Sequence, residues 1–274
     1  MIRLENVSYS YPDGTPALRN INMGIKKGEY IGIIGKNGSG KSTLALNLNG
    51  LLRPQKGKVM VRDMNTGDFS KLQVIRKIVG IVFQNPETQF VGRTVEEDLA
   101  FGPENLCLPP LEIRRRIDRA LAEIELEKYR YHSPKALSGG QGQCVALAGV
   151  LAMEPECLIF DEVTSMLDPE SGKKVLERVK RLHEKGKTVV HITHNLEELH
   201  AADRIIVIDR GRILLEGKPE NILSDPSLLD LGLTPPSLIE LAEHLKKHGV
   251  VIPWDKTSSP SSFAEEICRL FLKT

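Results

Sequence analysis

The sequence predicts an α/β fold in which a mostly parallel sheet is covered by helices on both faces. Three observations carry that expectation. Short apolar runs at residues 30–34, 78–83, 157–160, 188–192 and 205–208 read as buried strands and alternate with helical stretches. The first of these runs feeds a glycine loop, 35–42, and then a helix, the order a phosphate-binding unit requires. A second glycine turn, Leu137-Ser138-Gly139-Gly140-Gln141, also opens a helix.

In chain order, residues 1–30 alternate as strands do, around a turn at Pro12-Asp13-Gly14. A helix follows the first glycine loop over 43–48, and Pro54 and Gly57 close it before a strand at 58–61. The stretch 84–110 is rich in proline, glycine and acids, with one short amphipathic piece at 94–100. Helices are predicted over 111–127 and 139–153, the second with Ser138 as its N-cap. Further helices fall at 170–185 and 196–201. From Asp225 the composition turns proline-rich, with a polar stretch over 256–262. Two amphipathic helices, 237–247 and 263–272, read as an appended piece.

Composition narrows the functional classes. With 274 residues, one large domain or two modest ones have ample core. The 37 basic and 36 acidic side chains leave a net charge of +1, so no global field steers the chain to nucleic acid or an anionic membrane. Arg114-Arg115-Arg116 lies in a predicted helix and reads as a solvated face. Cys107, Cys144, Cys157 and Cys268 form no C-x-x-C pair and read as reduced thiols rather than a disulfide frame or zinc site. No signal peptide is visible, and no apolar run reaches the roughly 18 residues of a membrane span. Any membrane role is expected to come through a partner.

The loop Gly35-Lys36-Asn37-Gly38-Ser39-Gly40-Lys41-Ser42 fits G-x-x-x-x-G-K-[ST] and assigns nucleotide binding. Its glycines let successive backbone N–H groups curl around phosphate oxygens, above a helix N-terminus of partial positive charge. Lys41 is expected to reach the β- and γ-phosphates of ATP, and the Ser42 hydroxyl to ligate Mg²⁺. Leu158-Ile159-Phe160 ends in two carboxylates: Asp161, placed to hold Mg²⁺, and Glu162, placed to take a proton from the attacking water. His194, after the strand at 188–192, can hydrogen-bond the γ-phosphate and orient that water; a lone histidine in that place is more often structural. Gln84 heads a loop and suits a Mg²⁺ and water ligand. The turn at Ser138 repeats the device of the first loop, as a spare cap or for a nucleotide on another subunit.

These motifs together resemble an ATP-binding cassette (ABC) ATPase subunit from residue 1 to about 220. The resemblance implies a P-loop NTPase core with an antiparallel β subdomain and an α-helical subdomain at about 86–155. It identifies 35–42 as Walker A, Gln84 as the glutamine loop and Leu137 to Gln141 as the LSGGQ signature. Walker B is Leu158 to Asp161 with Glu162, the D-loop Ser165-Met166-Leu167-Asp168, and the switch histidine His194. It also implies nucleotide contacts for Thr43 and Asp168, and for Tyr11 as the residue that stacks on adenine. Two such subunits pair head to tail, so that Ser138, Gly139, Gly140 and Gln141 of one close over the ATP held by Lys41 of the other.

The stretches 84–90 and 94–105, with Glu162 to Pro169 and His194 to Glu198, are similar to the energy-coupling-factor ATPases. That resemblance implies uptake of a micronutrient, a vitamin or a metal ion such as cobalt or nickel. Its partners would be a second ATPase subunit, identical or related, a transmembrane coupling protein and a substrate-binding membrane protein. The chain would then lie at the cytoplasmic face of the cell membrane, with residues 1–236 as the ATP-binding domain and 237–274 as a dimerisation element. The loop after Gln84 would receive the coupling helix. Gly142 and Cys144 depart from the pattern, which has a basic residue directly after LSGGQ and an arginine two places on. The alternative, a soluble ABC protein acting on nucleic acid or ribosomes, is opposed by the near-neutral charge, the single cassette and the lack of a coiled-coil insert. Intact Glu162 and His194 oppose a purely regulatory ATP switch. His244 and His248, four apart on one predicted helix, read as a solvated face rather than a metal site.

Overall fold

The computed structural model describes residues 1–271. Two sheets form its frame. The first is antiparallel, with order β2-β1-β4-β5 from β1 (Ile2–Ser10), β2 (Pro16–Ile25), β4 (Lys56–Val61) and β5 (Met64–Asn65). The second has order β10-β9-β3-β8-β7-β6, from β3 (Tyr30–Ile34), β6 (Val79–Val82), β7 (Cys157–Asp161), β8 (Thr188–Ile192), β9 (Arg204–Asp209) and β10 (Arg212–Gly217). Its strands run parallel except for the β9–β10 hairpin.

Every residue of β3, β7 and β8 is buried, as near-continuous apolar runs imply for strands covered on both faces. Alternation then divides their side chains between two cores. Ile31, Ile33 and Ile159 join the first sheet and helix α1 (Lys41–Leu48) in one core. Tyr30, Ile34, Leu158 and Phe160 face the other, where α3 (Val95–Asn105), α4 (Pro110–Ile124), α5 (Gly139–Ala152) and α6 (Pro169–Glu184) pack. Helices α3 to α5 form the helical subdomain.

Several expected boundaries move. The strand expected at 78–83 is shorter, because Ile78 closes a helix, α2 (Leu72–Ile78). The piece at 94–100 is the start of α3, which a Thr94–Glu97 capping box opens and which runs through buried Pro103. Helix α4 stops at Ile124 rather than 127, where Glu125 turns left-handed with φ of 59°. The helix expected at 196–201 is a single 3₁₀ turn, Leu196–Leu199, opened by Asn195. Short helices α7 (Pro219–Ile222) and α8 (Ser227–Asp230) lead to α9 (Ser237–Lys247), a 3₁₀ turn at Trp254–Thr257 that overlaps the start of the expected polar stretch, and α10 (Pro260–Phe271). Residue 272, the expected end of the last helix, lies outside the described residues.

The terminal piece is docked rather than merely appended. Ala242, Ile252 and Phe263 make a small core of their own, while Leu233, Ile239 and Trp254 pack into the main one. Among the described residues no helix is long and apolar enough to cross a membrane.

Candidate functional site

The phosphate loop leaves β3 at Gly35 and enters α1 at Lys41. Gly40 takes φ of 108°, and a Cβ there would come within 2.4 Å of the Ala17 carbonyl oxygen, so both the turn and the close approach demand glycine. No side chain caps α1, which leaves its first N–H groups to an incoming acceptor. Lys41 is only 4% exposed, and its ammonium donates to the carbonyls of Gly35 (2.7 Å) and Lys36 (3.1 Å). Burial draws its pKa below the ordinary lysine value, opposed by the charges of Glu162 and Asp161. Lys36, Asn37 and Gly38 form the exposed lip of the loop. The Ser39 hydroxyl is buried without a hydrogen-bond partner among the described residues.

The acidic strand end stands beside this loop. Ser42 Oγ donates to Asp161 Oδ1 at 3.1 Å. Burial, aided by the Glu162 charge, raises the Asp161 pKa against the Ser42 hydroxyl and Lys41, which lower it. Glu162 adopts φ of 52°, a left-handed conformation that a non-glycine residue keeps only when its surroundings hold it. The bond from its N–H to the Ile192 carbonyl, 2.9 Å, is part of that hold. Its carboxylate lies between two groups, with Oε1 3.6 Å from Lys41 Nζ and Oε2 3.4 Å from His194 Nδ1. The structure therefore brings Lys41, Ser42, Asp161, Glu162 and His194 together.

Gln84 joins them at one remove: it donates to Ser165 Oγ at 2.9 Å, and that hydroxyl donates to the Glu162 carbonyl at 2.7 Å. Tyr11 is 38% exposed, shares a 2.8 Å hydrogen bond with the Thr43 hydroxyl and meets Tyr9 edge-on. Thr43 itself is buried. Asp168 caps α6 by accepting from the Ser171 N–H at 3.0 Å, and this lowers its pKa.

The second glycine turn sits apart, on the helical subdomain. Ser138 and Gln141 complete a capping box at the start of α5, and Gln141 also donates to the Tyr129 hydroxyl at 2.8 Å. Gly139 lies in ordinary contact range of Leu167, whereas a Cβ on Gly140 would meet Ser171 at 2.6 Å, so the turn packs closely on the first turn of α6. Where the family pattern has an arginine, Cys144 is buried beside a cleft of about 260 Å³. Arg178 of α6 lines the same cleft and donates to the Ile124 carbonyl at the end of α4, 2.9 Å away, which braces these helices from the other side.

Sequence reading passed over a buried pair behind the site. His191 on β8 shares a 2.9 Å hydrogen bond with the Tyr30 hydroxyl, and its Nε2 stands 3.2 Å from Glu198 Oε2. Burial pushes the Glu198 carboxyl up, yet His191 and the hydroxyls of Thr164 and Thr193 more than offset it and leave the pKa lowered. Thr164 and Asn195 both donate to Glu198 Oε1, so one carboxylate ties the segment after Glu162 to the segment after His194. A histidine inside an apolar strand was the available signal. His244 and His248 have ring centroids 5.0 Å apart, but among the described residues no group of three or more His, Cys, Asp or Glu could hold a metal.

Residues 18–165 match the family model described as ABC transporter. The chain is 86% identical, over the whole of both sequences, to the energy-coupling factor transporter ATP-binding protein EcfA of Methanosarcina acetivorans. The solved structure of CbiO1 from Clostridium perfringens, described as part of the ABC transporter complex CbiONQ, is 36% identical. It superposes with a TM-score of 0.76 over 88% of this chain and 98% of that one. A dimeric ATP-binding cassette in a post-hydrolysis state, bound to ADP and Pi, is 34% identical, with a TM-score of 0.73 over 80% of this chain and 99% of that one. The chain belongs to the ABC transporter family and, within it, to the energy-coupling factor ATP-binding proteins.

Proposed function

We propose that the chain binds and hydrolyses ATP as the motor subunit of an energy-coupling-factor transporter, powering uptake of a micronutrient such as cobalt, nickel or a vitamin. The observation that carries the chemistry is the placement of the Glu162 carboxylate between Lys41 and His194. Lys41 and the loop amides bind the β- and γ-phosphates. Glu162 takes the proton of the water that attacks the γ-phosphorus, the bond to the bridging oxygen breaks, and ADP and phosphate leave. His194 orients that water and reports the γ-phosphate, as does Gln84 through Ser165. Tyr11 lies against the adenine.

The oxygen donors present suit Mg²⁺, which favours hard ligands and retains water. Ser42 and Asp161, which already share a hydrogen bond, would hold the ion together with Gln84. When bound with the nucleotide, that ion neutralises charge on the phosphates. Asp168 and the turn at Ser138 to Gln141 serve the ATP of a second subunit, identical or related, paired head to tail.

The membrane partners are supported by a cleft of about 580 Å³ between the loop after Gln84, α3 and α5. Phe83, Phe101, Val150 and Met153 line it, with Phe101 51% exposed. A helix of a transmembrane coupling protein, which also carries the substrate-binding membrane protein, fits such an apolar groove. On this reading the chain lies peripherally at the cytoplasmic face. The helices after residue 237 further stabilise the subunit pair.

Tagged chain purified from native membranes should bring along a polytopic coupling protein and a small membrane protein. In the same preparation Glu162→Gln should retain ATP but lose steady-state turnover by about 10³-fold, in the range of losing a positioned base. Soluble ribosomal or DNA-repair partners alone would overturn the transport reading, and normal turnover in the variant would overturn the role of Glu162.

A further inference from the structure

Besides the Glu198 tie, the turn that follows His194 is held from two sides. On its inner side Leu196 and Leu199 are buried, and Leu199 packs so closely on β3 that a Cβ at Gly32 would lie 2.7 Å from its Cδ1. Its outer side is held by the C-terminal extension of the same subunit. The His200 imidazole lies flat on the Trp254 indole, with centroids 4.2 Å apart and planes 5° from parallel. Its Nε2 is 3.1 Å from the Trp254 carbonyl and 3.0 Å from the Thr257 hydroxyl. A carbonyl only accepts, and the Thr257 hydroxyl itself donates to that carbonyl at 2.8 Å. Nε2 therefore carries the proton and donates as well.

Two more contacts join the extension to the site. Gly232 has φ of 61°, and a Cβ on it would come within 2.6 Å of Lys36 Cε, so the linker passes directly over the lip of the phosphate loop. Ser237 Oγ lies 3.5 Å from Glu197 Oε1 on the turn itself. These contacts need no second subunit: Gly232 reaches the phosphate loop, and those at Glu197 and His200 reach the segment that carries His194.

We propose that the His200–Trp254 stack is a positioning contact, through which the extension holds the Leu196–Leu199 turn so that His194 faces Glu162. The inference rests on the role given to His194 above. Release of the extension would let the turn rotate on its Leu199 anchor and carry the imidazole away from the carboxylate. Hydrolysis is thereby made to depend on whether the extension is docked on its own subunit, separately from any part the extension plays in pairing.

The test compares Trp254→Ala, Trp254→Phe and His194→Ala in the full-length chain. Trp254→Ala should lower kcat by about 10- to 100-fold, the scale of a small misplacement of a reacting group, with KM for ATP unchanged. Trp254→Phe keeps a ring for the stack and should recover most of that loss, which also answers the case in which the alanine variant does not fold. The deficit should be the same at every protein concentration, with an unchanged mass in light scattering. A deficit that vanishes at high concentration would overturn the proposal in favour of dimerisation alone. Unchanged kcat in Trp254→Ala beside a large loss in His194→Ala would overturn the clamp while leaving the site reading intact. Unchanged kcat in His194→Ala would remove the reading on which both stand.

Discussion

The two glycine turns look alike in sequence, yet their structures differ in one instructive respect. The phosphate loop is rooted in the core: Gly35, Ser39 and Lys41 are buried, Gly40 presses on the Ala17 carbonyl, and α1 has no side-chain cap. The turn at Ser138 is exposed and supplies its own cap, the Ser138 N–H donating to Gln141 Oε1 at 3.0 Å and the Gln141 N–H to Ser138 Oγ at 3.4 Å. One turn leaves its backbone donors to a ligand. The other satisfies them internally, in part through a long bond, and presents a hydroxyl outward. The first suits an anion that stays with its own subunit, and the second an anion that arrives on another surface.

The sharpest way to break this comparison is Lys41→Ala. The ammonium is buried beside Glu162, so turnover should fall by about 10²- to 10³-fold, with ATP affinity reduced in single-subunit binding measurements. Retained affinity would show that the loop amides suffice. A smaller effect sharpens the other side. Gly142 follows the signature turn on α5, and a Cβ there would meet Phe90 and Pro86 at 3.7 Å, ordinary contact distance. Gly142→Ala should therefore stabilise the fold by about 0.5–1 kcal/mol in urea denaturation through helix propensity alone. Destabilisation would show that the turn needs the freedom of glycine beyond its cap.

The parts of the molecule visible in sequence were those fixed by local or repeated signals. Strands β3, β7 and β8 are mostly apolar runs, Ser138 reads as an N-cap, and the glycine loop has a rigid spacing. Helix α2 was hidden because its seven residues run directly into β6, and Ile78 fits either element. Helix α3 reads as ending before Gly102-Pro103, although packing carries it through to Asn105. Strand β10 alternates exposed and half-buried residues at a sheet edge, with little to mark it. Within the site, the roles proposed for Lys41, Asp161 and Glu162 follow from motif chemistry. The Glu198 tie and the His200–Trp254 stack depend on residues 34 and 54 positions apart, which no local pattern reports.

The central claim is that ATP held by the phosphate loop of one subunit is covered by the Ser138 turn of another. Light scattering of Glu162→Gln with and without ATP, beside Glu162→Gln/Ser138→Ala, tests it most directly. The account predicts that ATP doubles the mass of the single variant from 30.5 kDa. In the double variant, which loses about 1 kcal/mol of helix capping, ATP should still bind but the mass should not double. Doubling that survives loss of the Ser138 hydroxyl, or ATP binding that disappears with it in the unpaired subunit, would contradict the account.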